Sequence, residues 1–465
     1  MLARVFIGYK RIALVEKRRG AAWGEAGRKH HHRWSAERFY DTAVRNQGLL
    51  IKTAQFLSSR PDVVPDEYVD VLSRLQDEVP PEPFAVIRRV IETELGGDLY
   101  SLFREFDETP VASASLAQVH RAVLRDGRLA AVKVQYPGIE RIVAIDLKNI
   151  ARFTDILRRL DSTLDFRFVA EEMGRMVPKE LDFINEGNNA EAIGANFADV
   201  DDIVVPKIFW DHTTKRVLTM EFVQGVKISD VEAIRAEGLD PADVAKVLVV
   251  AFSEMILRHG LFHADPHPGN LLVAARATAK NVIASEAEES RPARFAPPAG
   301  RSASAAKPVL VLVDFGQVKA VGPEFRFLFG QMTRGLMAAD DGVVGRSFRD
   351  MGFRMKQDTA EGYERLGNAY VGRIAQRMAA TGAAYADRDM FRDSYREISR
   401  LLRANPLVKI PADLLFVGRV IGLLNGLSMT LGARTNLLLE MARLLERDGP
   451  VPSPADGARR RLLEA

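Results

Sequence analysis

Asp265 lies five residues before Asn270 in the run His263-Ala264-Asp265-Pro266-His267-Pro268-Gly269-Asn270, and Asp314-Phe315-Gly316 follows a hydrophobic run downstream. These residue types suit metal-assisted phosphoryl chemistry. A carboxylate such as Asp265 orients or deprotonates a phosphoryl acceptor. Asn270 and Asp314 offer hard oxygens that hold magnesium on ATP phosphates. Either motif alone is weak, but the two in this order, with a strand between them, are far more specific. A third group is Lys133, inside Ala130-Ala131-Val132-Lys133-Val134. A lysine on an otherwise apolar strand is costly to bury unless paired, and a paired one can grip α- and β-phosphates. A lysine snorkelling from an edge strand is the bland alternative, and the downstream motifs weigh against it.

Such groups need elements to hold them. Pro110 to Ala122 alternates small and apolar residues, Asp126-Gly127 makes a hairpin turn, and Leu129 to Gln135 is the strand that carries Lys133. Ala112, Ser113, Ala114 and Ser115 form a loop of small residues whose backbone can approach phosphate, with each Cβ restricting it. Helices are expected over Ile139 to Leu160 and from Phe168. Glu180, Asp182 and Glu186 then stand beside Leu181, Phe183 and Ile184, either as a solvated acidic face or as the source of the Lys133 counter-ion. Strands at Ile203 to Val205 and Arg216 to Phe222 follow, and the segment around Glu221 reads as a hinge whose backbone would meet adenine. Ala242 to Arg258 has the wide apolar stripe of a central helix, and His259-Gly260 delivers the chain to His263.

Upstream, Ser35 to Ser59 reads as a helix with Ser35 at its N-cap, and Lys52 and Gln55 one turn apart on one face. Residues 1–33 are basic, with Leu2, Val5, Phe6, Tyr9 and Ile12 at helical spacing. They form an amphipathic helix that either touches an anionic membrane or packs on its own domain. His30-His31-His32 is expected at the surface. Residues 275–307 are poor in large apolar residues and read as a disordered insertion, so Asn270 and Asp314 are 44 positions apart. Downstream the chain is helical, including Ala360 to Ala379, Asp387 to Arg403 and Pro411 to Leu431. No Ala-Pro-Glu anchor of a peptide-docking segment is visible.

The 465 residues carry 65 basic and 62 acidic side chains, a net charge of +3, which gives no sign of a polyanion or nucleic-acid binder. The absence of cysteine excludes disulfides, thiolate metal sites and a cysteine nucleophile. No transmembrane helix is expected: the best stretch, Leu414 to Leu431, is broken by Arg419 and Asn425.

The chain resembles the UbiB (AarF-domain) family of atypical protein-kinase-like proteins from about residue 30 to about 440. Lys52-Thr53-Ala54-Gln55 resembles the family's Lys-x-Gly-Gln signature, with Ala54 in place of the glycine. Pro110 to Ser115 resembles its alanine-rich loop, with Ser113 replacing an alanine, and Ala117 stands where many members have glycine. Lys133 sits in its Val-Ala-Val-Lys-Val-Gln strand. Glu180-Leu181-Asp182 matches its Glu-x-Asp motif, and His263 to Asn270 with Asp314 to Gly316 match its catalytic and metal motifs.

The resemblance implies an α+β, bilobal protein-kinase-like fold. A helical extension (1–105) precedes a small lobe (106–223), a large lobe (224–446) and a flexible tail (447–465). It implies ATP and Mg2+ as cofactors. Lys133 paired with Glu180 would hold phosphates, Asp265 would act on the acceptor, and Asn270 and Asp314 would hold the metal. Lys52 and Gln55 would close the cleft, with Asp182 engaging them, in place of a protein substrate. The implied function is an atypical kinase or ATPase in isoprenoid-quinone (ubiquinone) biosynthesis or lipid metabolism. Its partners would be an anionic membrane, lipid or quinone intermediates and quinone-biosynthesis proteins, with a homodimer left open. It would be cytoplasmic and peripheral to a bacterial, or an organelle, inner membrane. The alternatives are a small-molecule phosphotransferase and a non-catalytic, nucleotide-gated lipid-handling scaffold.

Overall fold

The computed structural model describes residues 2–46, 49–58, 65–76, 81–160, 167–276, 306–338, 340–368, 401, 405–409, 411–433, 437–447, 449 and 451. Most of the 275–307 insertion, the helices expected between 369 and 400, and nearly all of the tail lie outside these residues. The chain divides into two compact units. One is Met1–Asn188 with Lys207–Phe222; the other is Asn189–Pro206 with Val223–Ala465. Contacts thus group residues 189–206, assigned to the small lobe from sequence, with the second unit.

The first unit begins with helices α1 (Leu2–Arg19), α2 (Ala21–Asn46), α3 (Leu49–Ser58) and α4 (Asp66–Leu72). Ser35 is not an N-cap but a buried residue inside α2, which starts fourteen positions earlier. The histidine triplet is not simply surface either. His31 Nε2 meets the Val5 carbonyl at 2.9 Å and His32 Nδ1 meets the Tyr9 hydroxyl at 2.7 Å, both across the α1–α2 contact. Gly8 permits that contact, since a Cβ there would fall 2.2 Å from the His31 ring.

Helices α5 (Phe84–Leu95) and α6 (Leu99–Leu102) lead into strands β1 (Phe103–Phe106), β2 (Ala112–Ser113), β3 (Ala117–Leu124) and β4 (Leu129–Gln135). Then come α7 (Ile139–Leu160), α8 (Arg167–Glu180), α9 (Phe183–Asn196), β5 (Ile203–Val204), which belongs to the second unit, and β6 (Val217–Glu221). The antiparallel sheet has the order β1-β3-β4-β6, with β2 added beside β3. Strand alternation sends Ala130, Val132 and Val134 into a core with Ile87, Ile91, Phe103 and Phe106. It sends Lys133 to the other face. A second cluster joins Leu49 of α3 to Leu116, Val143, Met173 and Val177. A third buries Ala54 with Ala43, Ile51, Leu72 and Leu75. The methyl that replaces the signature glycine is therefore core.

In the second unit, β7 (Val226–Lys227) and α10 (Val231–Ala236) precede α11 (Pro241–Glu254), whose N-terminus is capped by Asp240. A π-helical turn, Met255–His259, extends α11 to Gly260. Gly260 has φ of 67°, and a Cβ there would lie 2.9 Å from the Val321 carbonyl. β8 (Leu261–His263), β9 (Leu271–Ala275), β10 (Pro308–Leu312) and β11 (Val318–Ala320) follow. β9 and β10 join β5 and β7 in the sheet β5-β10-β9-β7, and β8 pairs with β11 in a two-stranded ladder. Helices α12 (Pro323–Met337), α13 (Asp341–Asp350), α14 (Ala360–Gly367), α15 (Ala412–Thr430) and α16 (Leu437–Arg447) complete the described unit, with a short β12–β13 pair (Arg354–Met355 and Leu407–Lys409).

Candidate functional site

In the first unit the Lys133 ammonium donates to both carboxylate oxygens of Glu186, at 2.7 and 2.9 Å. The pair is well shielded: the lysine side chain is 13% exposed and the glutamate 1%. The Lys133 Nζ also lies 5.1 Å from the centre of the Phe183 ring. This corrects the expected pairing with Glu180. Glu180 ends α8, whereas Asp182 caps α9 by accepting the amides of Ile184 and Asn185 at 3.2 and 3.3 Å. Gln135, two residues after Lys133 and so on the same strand face, donates to the Leu181 carbonyl at 2.8 Å. That bond fixes the chain between the two helices, and the first turn of α9 then presents Glu186. Asp182 thus has a capping role, and the expected contact with Lys52 and Gln55 falls on side chains outside the described residues.

In the second unit a buried histidine organises the site. The Asp265 amide donates to His263 Nδ1 at 3.1 Å, so the ring proton sits on Nε2, which donates to the Asp314 carbonyl. Burial holds the His263 pKa below its ordinary value, keeping the ring neutral. One imidazole thereby ties the backbone at Asp265 to the backbone at Asp314. The ladder pairs agree: Val318 lies opposite His263, and the Ala264 amide donates to the Gln317 carbonyl at 2.8 Å.

Asn270 is set by the β9–β10 register. Leu271 pairs with Leu312, and the Val313 amide donates to the Asn270 carbonyl at 3.2 Å. Asn270 and Asp314 thus leave the same end of one ladder. The Asn270 Nδ2 donates to the Asp265 carbonyl at 3.1 Å, and Asp314 Oδ1 accepts the Gly316 amide at 3.0 Å. Asn189 donates to the Phe315 carbonyl at 3.0 Å. Arg419 of α15 reaches Asp265 Oδ1 at 2.7 Å. Its one signal in the sequence is that it interrupts an apolar stretch. Asn189 had none.

The ABC1 atypical kinase-like domain family matches residues 74–347. AarF domain-containing protein kinase 1 of Xenopus tropicalis is 32% identical over 424 residues, covering 90% of this chain and 74% of that protein. The chain belongs to the ABC1 atypical kinase-like family, the UbiB (AarF-domain) proteins. The chloroplastic protein ACTIVITY OF BC1 COMPLEX KINASE 8 of Arabidopsis thaliana is 42% identical over 229 residues, 48% of this chain but only 30% of that protein. Among solved structures, Rv3197 of Mycobacterium tuberculosis, determined with erythromycin, superposes with a TM-score of 0.59 at 23% identity, covering 90% of this chain and 96% of that one. This likeness supports the kinase-like fold.

The other UbiB motifs fall as follows. Lys52 and Gln55 lie on α3, and their side chains are outside the described residues. Ala112 and Ser113 pair with Val119 and Gln118, and the Ala114 amide closes a turn onto the Ala117 carbonyl at 2.8 Å. The Ser113 and Tyr136 hydroxyls meet at 2.8 Å, and Ser115 is buried. Glu221 ends β6, and its amide donates to the Lys207 carbonyl at 2.8 Å. No cluster of three metal-ligating side chains occurs among the described residues. One carboxylate and one amide oxygen from a shared ladder end nevertheless fit magnesium, which takes few protein ligands and completes its shell with phosphate and water.

Proposed function

We propose that the chain is an atypical kinase or ATPase that binds Mg-ATP and serves isoprenoid-quinone or lipid metabolism at a membrane surface. The observation that carries this reading is the His263-centred loop, which holds Asp265, Asn270 and Asp314 in one hydrogen-bonded unit. In it Asp265 orients water or an acceptor hydroxyl, and Asn270 and Asp314 hold magnesium, which would neutralise phosphate charge. Lys133, aligned by Glu186, grips the α- and β-phosphates. The small-residue loop Ala112 to Ser115 covers the nucleotide, and Glu221 marks the adenine-facing hinge. The α3 helix with Lys52 and Gln55 restricts the acceptor to small molecules or water. Its Leu49 shares a core cluster with Leu116, the residue that follows the cover loop, which supports a coupling between the two.

The outward face of α1 supports the membrane part. Ile7 and Leu14 are 59% and 65% exposed. At helical spacing they form a row flanked by Arg4, Arg11 and Arg18 on one side and by Lys10 and Lys17 on the other, all exposed. Glu16 is turned to Arg28 of α2. An apolar row between two cationic rows suits an anionic bilayer. No described helix is long and apolar enough to cross a membrane. The test is ATP hydrolysis with and without anionic liposomes, on the parent and on Asp265→Asn. We expect liposome-stimulated turnover that the variant loses. Equal turnover in both proteins refutes the reading.

A further inference from the structure

The loop from His263 to Asn270 contains no lysine or arginine. A terminal phosphoryl group placed beside the Asp265 carboxylate would meet negative charge there. The cation brought alongside comes from α15, 154 positions later. The Arg419 side chain is 9% exposed and engages Asp265 through Nη2. Its Nε–H is buried and has no hydrogen-bond partner among the described residues. A buried donor left without an acceptor is unfavourable, and on a planar guanidinium it is one prong of a fork shaped for phosphate oxygens.

The helix is anchored where this matters. Phe416, one turn before Arg419, lies under the Lys319 ammonium at 3.9 Å from the ring centre. Lys319 follows Val318, which pairs with His263. The ladder that sets the Asp265 loop thus also sets the helix that carries Arg419.

We propose that Arg419 binds the terminal phosphoryl group of the nucleotide, its Nε–H donating to a phosphoryl oxygen while Nη2 holds Asp265. This rests on the nucleotide reading above and deepens it. Arg419 then discriminates ATP from ADP, because only ATP presents the group it meets. An arginine that merely tethered Asp265 would affect both nucleotides alike, and its loss would resemble the loss of Asp265.

The experiment measures dissociation constants for ADP and for a non-hydrolysable ATP analogue, with magnesium, by titration calorimetry. The proteins are the full chain and its Arg419→Gln, Arg419→Lys and Asp265→Asn variants. Arg419→Gln should weaken the ATP analogue at least about tenfold, as loss of a charge-assisted phosphate contact does, and leave ADP within about twofold. Arg419→Lys, which keeps the charge but not the fork, should fall between parent and Arg419→Gln. Asp265→Asn should keep the parent's discrimination. Equal weakening of both nucleotides, or no change in either, overturns the inference while leaving the nucleotide reading intact. A parent that binds neither nucleotide overturns both.

Discussion

Replacing Glu186 by glutamine keeps the shape of the side chain and removes its charge. Lys133 is then left as a largely buried ammonium facing a neutral amide. Breaking a buried ion pair from one side costs about 3–5 kcal/mol. Because the lysine retains 13% exposure, water offsets part of the loss, which places the cost near the lower end, about 3 kcal/mol. For a unit of about 200 residues, each kcal/mol moves the melting temperature by about 2–4 °C, so the shift should be about 6–12 °C. The assay is urea and thermal denaturation of Glu186→Gln, Lys133→Met and the double variant. The double variant should be more stable than the summed losses imply, with a coupling of about 1.5–3 kcal/mol. Glu180→Gln, at a half-buried helix end, should cost less than about 1 kcal/mol. If Glu186→Gln were within about 0.5 kcal/mol of the parent while Glu180→Gln was the costly change, the pairing described here would be wrong.

Two further outcomes follow from the packing and the buried imidazole. Ala54→Gly should destabilise the first unit by about 1.5–2 kcal/mol, combining about 1 kcal/mol of helix propensity with about 0.8 kcal/mol for the buried methyl, read as a lower urea midpoint. His263 is held neutral by burial, with a folded pKa below 6.5, so the unfolded chain takes up its proton first. Its contribution is therefore complete above about pH 6.5 and lost as the pH falls, at up to about 1.4 kcal/mol per pH unit. His120 and His259 are lowered by burial in the same direction. His263→Asn should be less stable at pH 7 and lose stability less steeply towards pH 5, measured as urea midpoints across that range.

Lys133, Asp265, Asn270 and Asp314 stand out in the sequence because each lies in a local pattern whose chemistry is distinctive, and their roles in the site are the proposal made above. The strands that carry them were legible for the same reason, through alternation and a hairpin turn. Glu186 was not singled out, because three acids within seven residues differ only in tertiary setting. Asp182 caps α9 and Gln135 anchors Leu181, and the first turn of α9 presents Glu186 to Lys133. The contact of Arg419 with Asp265 had no local sequence signal, since the two are 154 positions apart. Ser35 misled because a good capping residue is also tolerated inside a long helix such as α2, once packing against α1 and α4 decides where that helix starts.

The proposed nucleotide reading assigns phosphate contact to Lys133 in the first unit and magnesium to Asp314 in the second. The most direct measurement is calorimetric titration of ATP into the parent, Lys133→Met and Asp314→Asn, each with magnesium and with a chelator. The parent should show a single site whose affinity depends on magnesium, Lys133→Met marked weakening, and Asp314→Asn loss of the magnesium dependence. Parent-like binding by Asp314→Asn, with the metal response unchanged, would contradict that reading.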